Sequence, residues 1–268
     1  VAGAWSLRLP RRSRAYGRFD PRRLQRELVI DLGALAAVVA VVAAAAGQAI
    51  TAIGFSLVAV PFVSIAVGPA AAVPTINLLA GGLNAVMLYA ERAQTRWRDV
   101  ALLLAPAAVA IPIVGALIKG LDTDTLSVIN GVAILLGAAF LAKGLRVHSL
   151  RGRRGALLAG ALAGAGNVAT SVGGPPVAMY AVNADWPAAQ YRPTVQAFFL
   201  GINVMSVAVR GWPRLDHPAL LPILGVAMLA GWVVGARLAK RIDDRMVRNL
   251  LLAVAAIGGA VAVVRGLF

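Results

Sequence analysis

From Leu32 to Ala90 the chain carries no Asp, Glu, Lys or Arg, an unbroken run of 59 residues. One helix crosses the hydrocarbon core of a bilayer with about 20 apolar residues. The run is therefore too long for a single crossing and must turn within the membrane or at its face. A second charge-free run extends from Gly155 to Ala184. Composition agrees: 60% of residues are hydrophobic and 14% charged, where a soluble domain is about half apolar and about a quarter charged. The chain reads as an all-α, polytopic membrane bundle of about eight spans with short loops. No segment is long enough for a separate soluble catalytic domain. There is no cysteine, which removes disulfides, thiolate catalysis and cysteine-held metal or iron–sulfur sites.

The formal net charge of +15 resembles a nucleic-acid signature, but its placement favours the membrane. Eight arginines (Arg8, Arg11, Arg12, Arg14, Arg18, Arg22, Arg23 and Arg26) precede the first apolar run. Basic residues beside a first span mark the cytoplasmic side and contact lipid headgroups. Residues 1–27 are accordingly expected to be a cytoplasmic basic segment of an integral plasma-membrane protein, with no nucleic-acid partner. The apolar stretch after Arg11-Arg12 far exceeds the h-region of a signal peptide and is read as a retained span.

Apolar runs and charged breaks place spans near 28–46, 70–90, 100–118, 125–142, 193–209, 218–236 and 247–264, with Asp124 as a candidate N-cap. Two further stretches are broken. Gly47 to Gly54, with Gln48, Thr51 and then Ser56, interrupts the first run before Pro61; Gly164 to Pro176 interrupts the segment 155–182. The chain also repeats itself. A shift of 119 residues carries Gly54 onto Gly173, Pro74-Thr75 onto Pro193-Thr194, Gly82 onto Gly201 and Asn84 onto Asn203, and pairs Asn77 with Gln196. Two repeats follow, about 28–147 and 155–268, within one membrane domain (28–268), each a glycine-broken or re-entrant element followed by three spans. Inversion of one repeat against the other is the favoured arrangement. An eight-span path from a cytoplasmic amino terminus leaves Arg237, Lys240, Arg241, Arg245 and Arg248 outside, against the positive-inside bias. A re-entrant hairpin at 155–182 would bring them back.

Gly54-Phe-Ser-Leu-Val-Ala-Val-Pro61 and Gly173-Gly174-Pro175-Pro176-Val-Ala-Met-Tyr180 resemble the glycine- and proline-rich motifs of the TauE/SafE sulfite and organosulfonate exporters. The resemblance covers about residues 30–265, with Phe55 and Ser56 where glycines are common in the family. It implies transport of small sulfur-containing or related carbon anions.

The residues themselves point the same way. A helix broken in the bilayer frees backbone groups at a cost of several kcal/mol each, tolerated where they line a cavity or are covered by protein. The N-terminus of a half-helix offers N–H groups and a positive dipole end to an anion, and Pro175 and Pro176 suit the first turn of one. Candidate substrate-binding residues are Gln48, Thr51, Gly54, Ser56, Asn167, Thr170, Ser171, Gly173 and Gly174 in the breaks, and Asn77, Asn84, Gln196 and Asn203 in the following helices. Each polar side chain could instead bond freed backbone or a neighbouring helix. No charged residue lies deep in a span, which argues against a buried carboxylate relay and suits a neutral, dipole-built anion site. His148 and His217 stand apart in loops, so no metal site and no cofactor is expected. Gly160-Ala-Leu-Ala-Gly164 suits close packing inside the bundle, or alternatively a homodimer face. Two other functions compete with anion transport. One is a membrane-embedded enzyme acting on a lipid, which would need acid–base groups at the membrane face. The other is an assembly subunit of a larger membrane complex.

Overall fold

The fold is seen in a computed structural model that describes residues 21–143, 152–239 and 241–268. The basic segment 1–20 and the linker with His148 lie outside the described residues. Ten α-helices lie among the described residues: α1 (Pro21–Thr51), α2 (Phe55–Val67), α3 (Pro69–Glu91), α4 (Trp97–Leu117), α5 (Thr123–Lys143), α6 (Gly152–Thr170), α7 (Gly174–Asn183), α8 (Ala188–Arg210), α9 (Leu220–Leu238) and α10 (Asp244–Leu267). Six of them (α1, α3, α4, α5, α9 and α10) are long and apolar enough to cross a membrane. At 23 residues α8 has the length but not the hydropathy, because Gln196, Asn203 and Ser206 face inward and are buried.

The distribution of polarity is that of a protein solvated by lipid. Leu35, Val39, Val109, Leu117, Leu136, Val226 and Ile257 face outward, while Gln48, Asn77, Asn84, Asn130, Asn167, Gln196 and Asn203 are buried. Between helices in lipid no hydrophobic drive operates, so packing rests on close contact and interhelical hydrogen bonds. Glycines supply the contact. Gly160 and Gly164 of α6 lie on Leu103 and Ala107 of α4, and Gly231 and Gly235 of α9 lie on Val42 and Ala46 of α1. The small-residue pattern of α6 is thus used inside the bundle.

Both broken elements are hairpins. Gly33, early in α1, lies against Ile65 and Ala66, late in α2, so α2 runs back along α1. In the second element α6 runs parallel to α4, in register Gly160–Leu103 and Gly164–Ala107. Beyond α7, Trp186 and Tyr180 pack in a T-shape with ring centroids 5.6 Å apart, and Trp186 lies under Arg96, just ahead of α4. The chain has therefore returned to the end where α4 begins. Helix α3 runs antiparallel to α8, with Glu91 beside Arg192 at one end and Arg210 donating to the Ala70 carbonyl at the other. Helix α5 runs antiparallel to α10, with Gly131 against Gly259 and Asp124 against Gly266. The first hairpin enters from the Ala70 end of the bundle and the second from the Glu91 end. Because both elements turn back, Arg237, Arg241, Arg245 and Arg248 lie at the end opposite the start of α1. The expected re-entrant hairpin at 155–182 is formed by α6 and α7, but with the first element also turned back it does not bring these charges to the α1 end.

Several boundaries differ from expectation for local reasons. Helix α1 passes through Gly47, which packs against the Leu251 side chain, and breaks only at Ala52–Gly54. Helix α6 likewise passes Gly164 and ends at Thr170. Pro61 lies inside α2 rather than ending the irregular stretch; in an apolar environment the helix keeps its remaining backbone bonds rather than expose them. The cap of α5 is Asp122, not Asp124: its carboxylate accepts from the Thr125 amide and hydroxyl at 2.8 Å each. Those bonds, the backbone amide first, hold its pKa below the ordinary carboxylate value. Ala52 sits at φ 64°, where an L-residue with a Cβ costs roughly 1–2 kcal/mol. Ala52→Gly is therefore expected to stabilise the protein by about 0.5–1 kcal/mol after the extra entropy lost by glycine, measured by unfolding in detergent.

Candidate functional site

The two hairpin tips meet inside the bundle. Ile53 of the first tip packs on Gly174 at the second, where an added Cβ would stand 3.0 Å from Ile53 Cγ2. Each tip is built the same way. The last residue of the incoming helix is a threonine whose hydroxyl turns back to a glycine carbonyl: Thr51 to Gly47 at 2.9 Å, Thr170 to Gly166 at 2.8 Å. The next residue adopts a left-handed conformation, Ala52 at φ 64° and Ser171 at φ 60°. After Gly54 or Gly173 the returning helix begins with no side-chain cap. Its first-turn N–H groups have no intrahelical acceptor.

An amide network fixes both tips. Gln48 donates to Asn84 at 2.8 Å, and Asn167 donates to Asn203 at 3.0 Å. Each pair joins an incoming helix to the helix after its own hairpin. A second layer crosses over. Gln196 of α8 donates to the Ala52 carbonyl at 3.2 Å and accepts from Gln48 at 3.3 Å. Asn77 of α3 donates to the Asn167 carbonyl at 3.4 Å and accepts from Ser171 at 3.0 Å. These roles recur at a constant spacing of 119 residues: 48 with 167, 51 with 170, 77 with 196, and 84 with 203.

A cavity of about 40 Å³ lies between the tips. One ordered water needs at least about 10–15 Å³ of cavity, so there is room for roughly three or four non-hydrogen atoms. Of the residues singled out from sequence, Gln48, Gly54, Ser56, Asn84, Asn167, Ser171, Gly173, Gly174 and Asn203 line it. Thr51, Thr170, Asn77 and Gln196 do not; they bond the backbone of the breaks and hold the tips in place. Among the described residues no Asp, Glu, Lys or Arg lines the cavity, and both uncapped helix starts open on it. The two helix starts are the source of positive partial charge at the cavity. Ser206, which accepts from Asn167 at 3.0 Å, was missed in the sequence; its position one turn after Asn203 was the available signal. Arg192 donates to the Ala49 carbonyl at 2.7 Å and so braces the first tip.

A larger cavity of about 310 Å³ adjoins the first, sharing Ile53, Gly54 and Leu57, with Arg245 and Arg248 in its wall. Among the described residues no cluster of three His, Asp or Glu could hold a metal ion.

The family model described as Sulfite exporter TauE/SafE matches residues 36–262, most of the chain. No curated protein and no solved structure gives a significant match. The chain belongs to the sulfite exporter TauE/SafE family and is an integral membrane protein of transporter type.

Proposed function

We propose that this TauE/SafE family member carries a small anion, sulfite or a short organosulfonate, and binds its sulfur oxyanion group between the two hairpin tips, with any organic tail reaching into the adjoining larger cavity. The observation that carries the reading is the meeting of two uncapped helix starts on one small cavity lined by amides and hydroxyls, with no charged side chain among the described residues. Helix N-termini favour negative charge, and a neutral lining holds an anion without the desolvation cost of a buried ion pair. Arg245 and Arg248 line the adjoining cavity and attract anions toward Gly54. Membership of a transporter family favours this reading over a lipid-modifying enzyme. The test is flux in proteoliposomes against sulfite, sulfonates, sulfate and simple carboxylates. Saturable flux of sulfur anions is expected; equal flux of every anion, or none, counts against the site.

We read the chain as two inverted repeats, about 28–147 and 155–268. The reading is supported by hydrogen-bond roles that recur every 119 residues and by the entry of the hairpins from opposite ends of the bundle. Its carriage of the site fits the paired broken helices of other carrier folds. The amino terminus is assigned to the cytoplasm on its eight arginines, although Arg92, Arg98, Arg153, Arg241 and Arg245 lie toward the other end. The chain lacks cysteine, so single introduced thiols report orientation cleanly. Ser6→Cys is expected to react only from the cytoplasmic side, and Gln94→Cys, at an exposed position, only from outside. The reverse pattern inverts the assignment.

A further inference from the structure

A third cavity, of about 170 Å³, lies away from the hairpin tips between α2, α5 and α10. Its wall is mostly apolar, including Val60, Ile134, Ile257 and Val261. Ile65, Ile257 and Val261, at its margin, face outward, so the slot opens sideways toward lipid rather than along the bundle. Two features do not fit an apolar packing defect. Asn130 is 2% exposed, yet neither atom of its amide has a hydrogen-bond partner, and the buried Ser64 hydroxyl also lacks one. Buried polar groups left unmatched are costly, and such groups ask for an occupant. Arg265 also lines the slot.

The depth of these groups defines the occupant. Gly266 lies against Asp124 and Gly259 against Gly131, so Arg265 is level with the start of α5. Asn130 is about five residues further in, or about 8 Å along the helix. The polar region of each leaflet is roughly 5–8 Å deep. A phosphate held by Arg265 would place the ester groups beneath it at the level of Asn130.

We infer that this slot is a phospholipid site, with the phosphate on Arg265, ester carbonyls accepting from Asn130 and Ser64, and one acyl chain along Ile134, Ile257 and Val261. Arginine is suited to phosphate by its forked donors, and the apolar wall suits the chain. The inference does not depend on the anion reading.

The test is thermal unfolding of delipidated full-length protein in detergent, with added phosphatidylglycerol, with diacylglycerol of the same chains, and with inorganic phosphate. Phosphatidylglycerol is expected to raise the melting temperature, and the other two are not. Arg265→Ala and Ala262→Trp, which remove the cation and fill the slot, are expected to abolish at least half of that rise. Asn130→Leu is expected to raise the melting temperature of the lipid-free protein and to shrink the lipid-induced rise. An undiminished lipid effect in all three variants would overturn the site, as would an equal rise with inorganic phosphate or with diacylglycerol. Stabilisation by sulfite, measured on the same variants, separates the two sites: its absence beside an intact lipid effect counts against the anion reading alone.

Discussion

Gly174→Val is expected to reduce anion flux about a hundredfold, equivalent to about 2.8 kcal/mol of lost interaction, while the protein still inserts and folds. Gly174 starts α7 at the second hairpin tip, and its ideal Cβ meets only Ile53 Cγ2, at 3.0 Å, with Phe199 next at 3.9 Å. Both neighbours are side-chain ends, so the backbone has no reason to fail. The methyl groups of valine would instead occupy a cavity of about 40 Å³ and push the tips apart. Flux in proteoliposomes, normalised to correctly inserted protein, measures the effect. Near-normal flux in this variant would remove the tip cavity from the pathway.

Gly160→Ala is expected to act on stability instead, with a loss of roughly 1–3 kcal/mol. A Cβ at Gly160 would overlap the Leu103 carbonyl and approach Pro106 Cγ to 2.9 Å. The obstacle is backbone, so α4 and α6 must separate along their whole contact. Gly225→Ala is the control, since nothing lies within 4 Å of its Cβ; helix propensity favours alanine there by up to about 1 kcal/mol. Unfolding of both variants in the same detergent gives the comparison. Equal stability of the two would show that the α4–α6 crossing is not set by Gly160.

The sequence showed its helical membrane character and its two breaks because both depend on local rules. Long charge-free runs have one explanation, and Pro175-Pro176 after paired glycines marks a helix start. The amides were visible through the 119-residue shift, which set Asn84 on Asn203 before any contact was known. The direction of the returning helices was not visible. A 13-residue apolar helix such as α2 has the same hydropathy whether it continues a crossing or runs back, and only the contact of Gly33 with Ala66 distinguishes the two. Gly47 was read as part of a break because glycine weakens helices. Here it instead admits the Leu251 side chain, a requirement set by α10, far away in sequence. The division of labour among the amides was hidden for the same reason. Asn77 and Asn84 lie two helical turns apart on α3, and only the position of the opposite hairpin makes one a brace and the other a lining residue.

The measurement that bears most directly on the site is thermal stability of the purified protein against sulfite, thiosulfate, sulfate, taurine and simple carboxylates, with Gly174→Val in parallel. A ligand that binds only the folded state adds about 2.7 kcal/mol at a hundredfold excess over its dissociation constant. Stabilisation of the native protein by sulfite or a sulfonate, lost in Gly174→Val, is the expected result. Stabilisation that survives that substitution unchanged, or no response to any of these anions, would contradict binding between the hairpin tips.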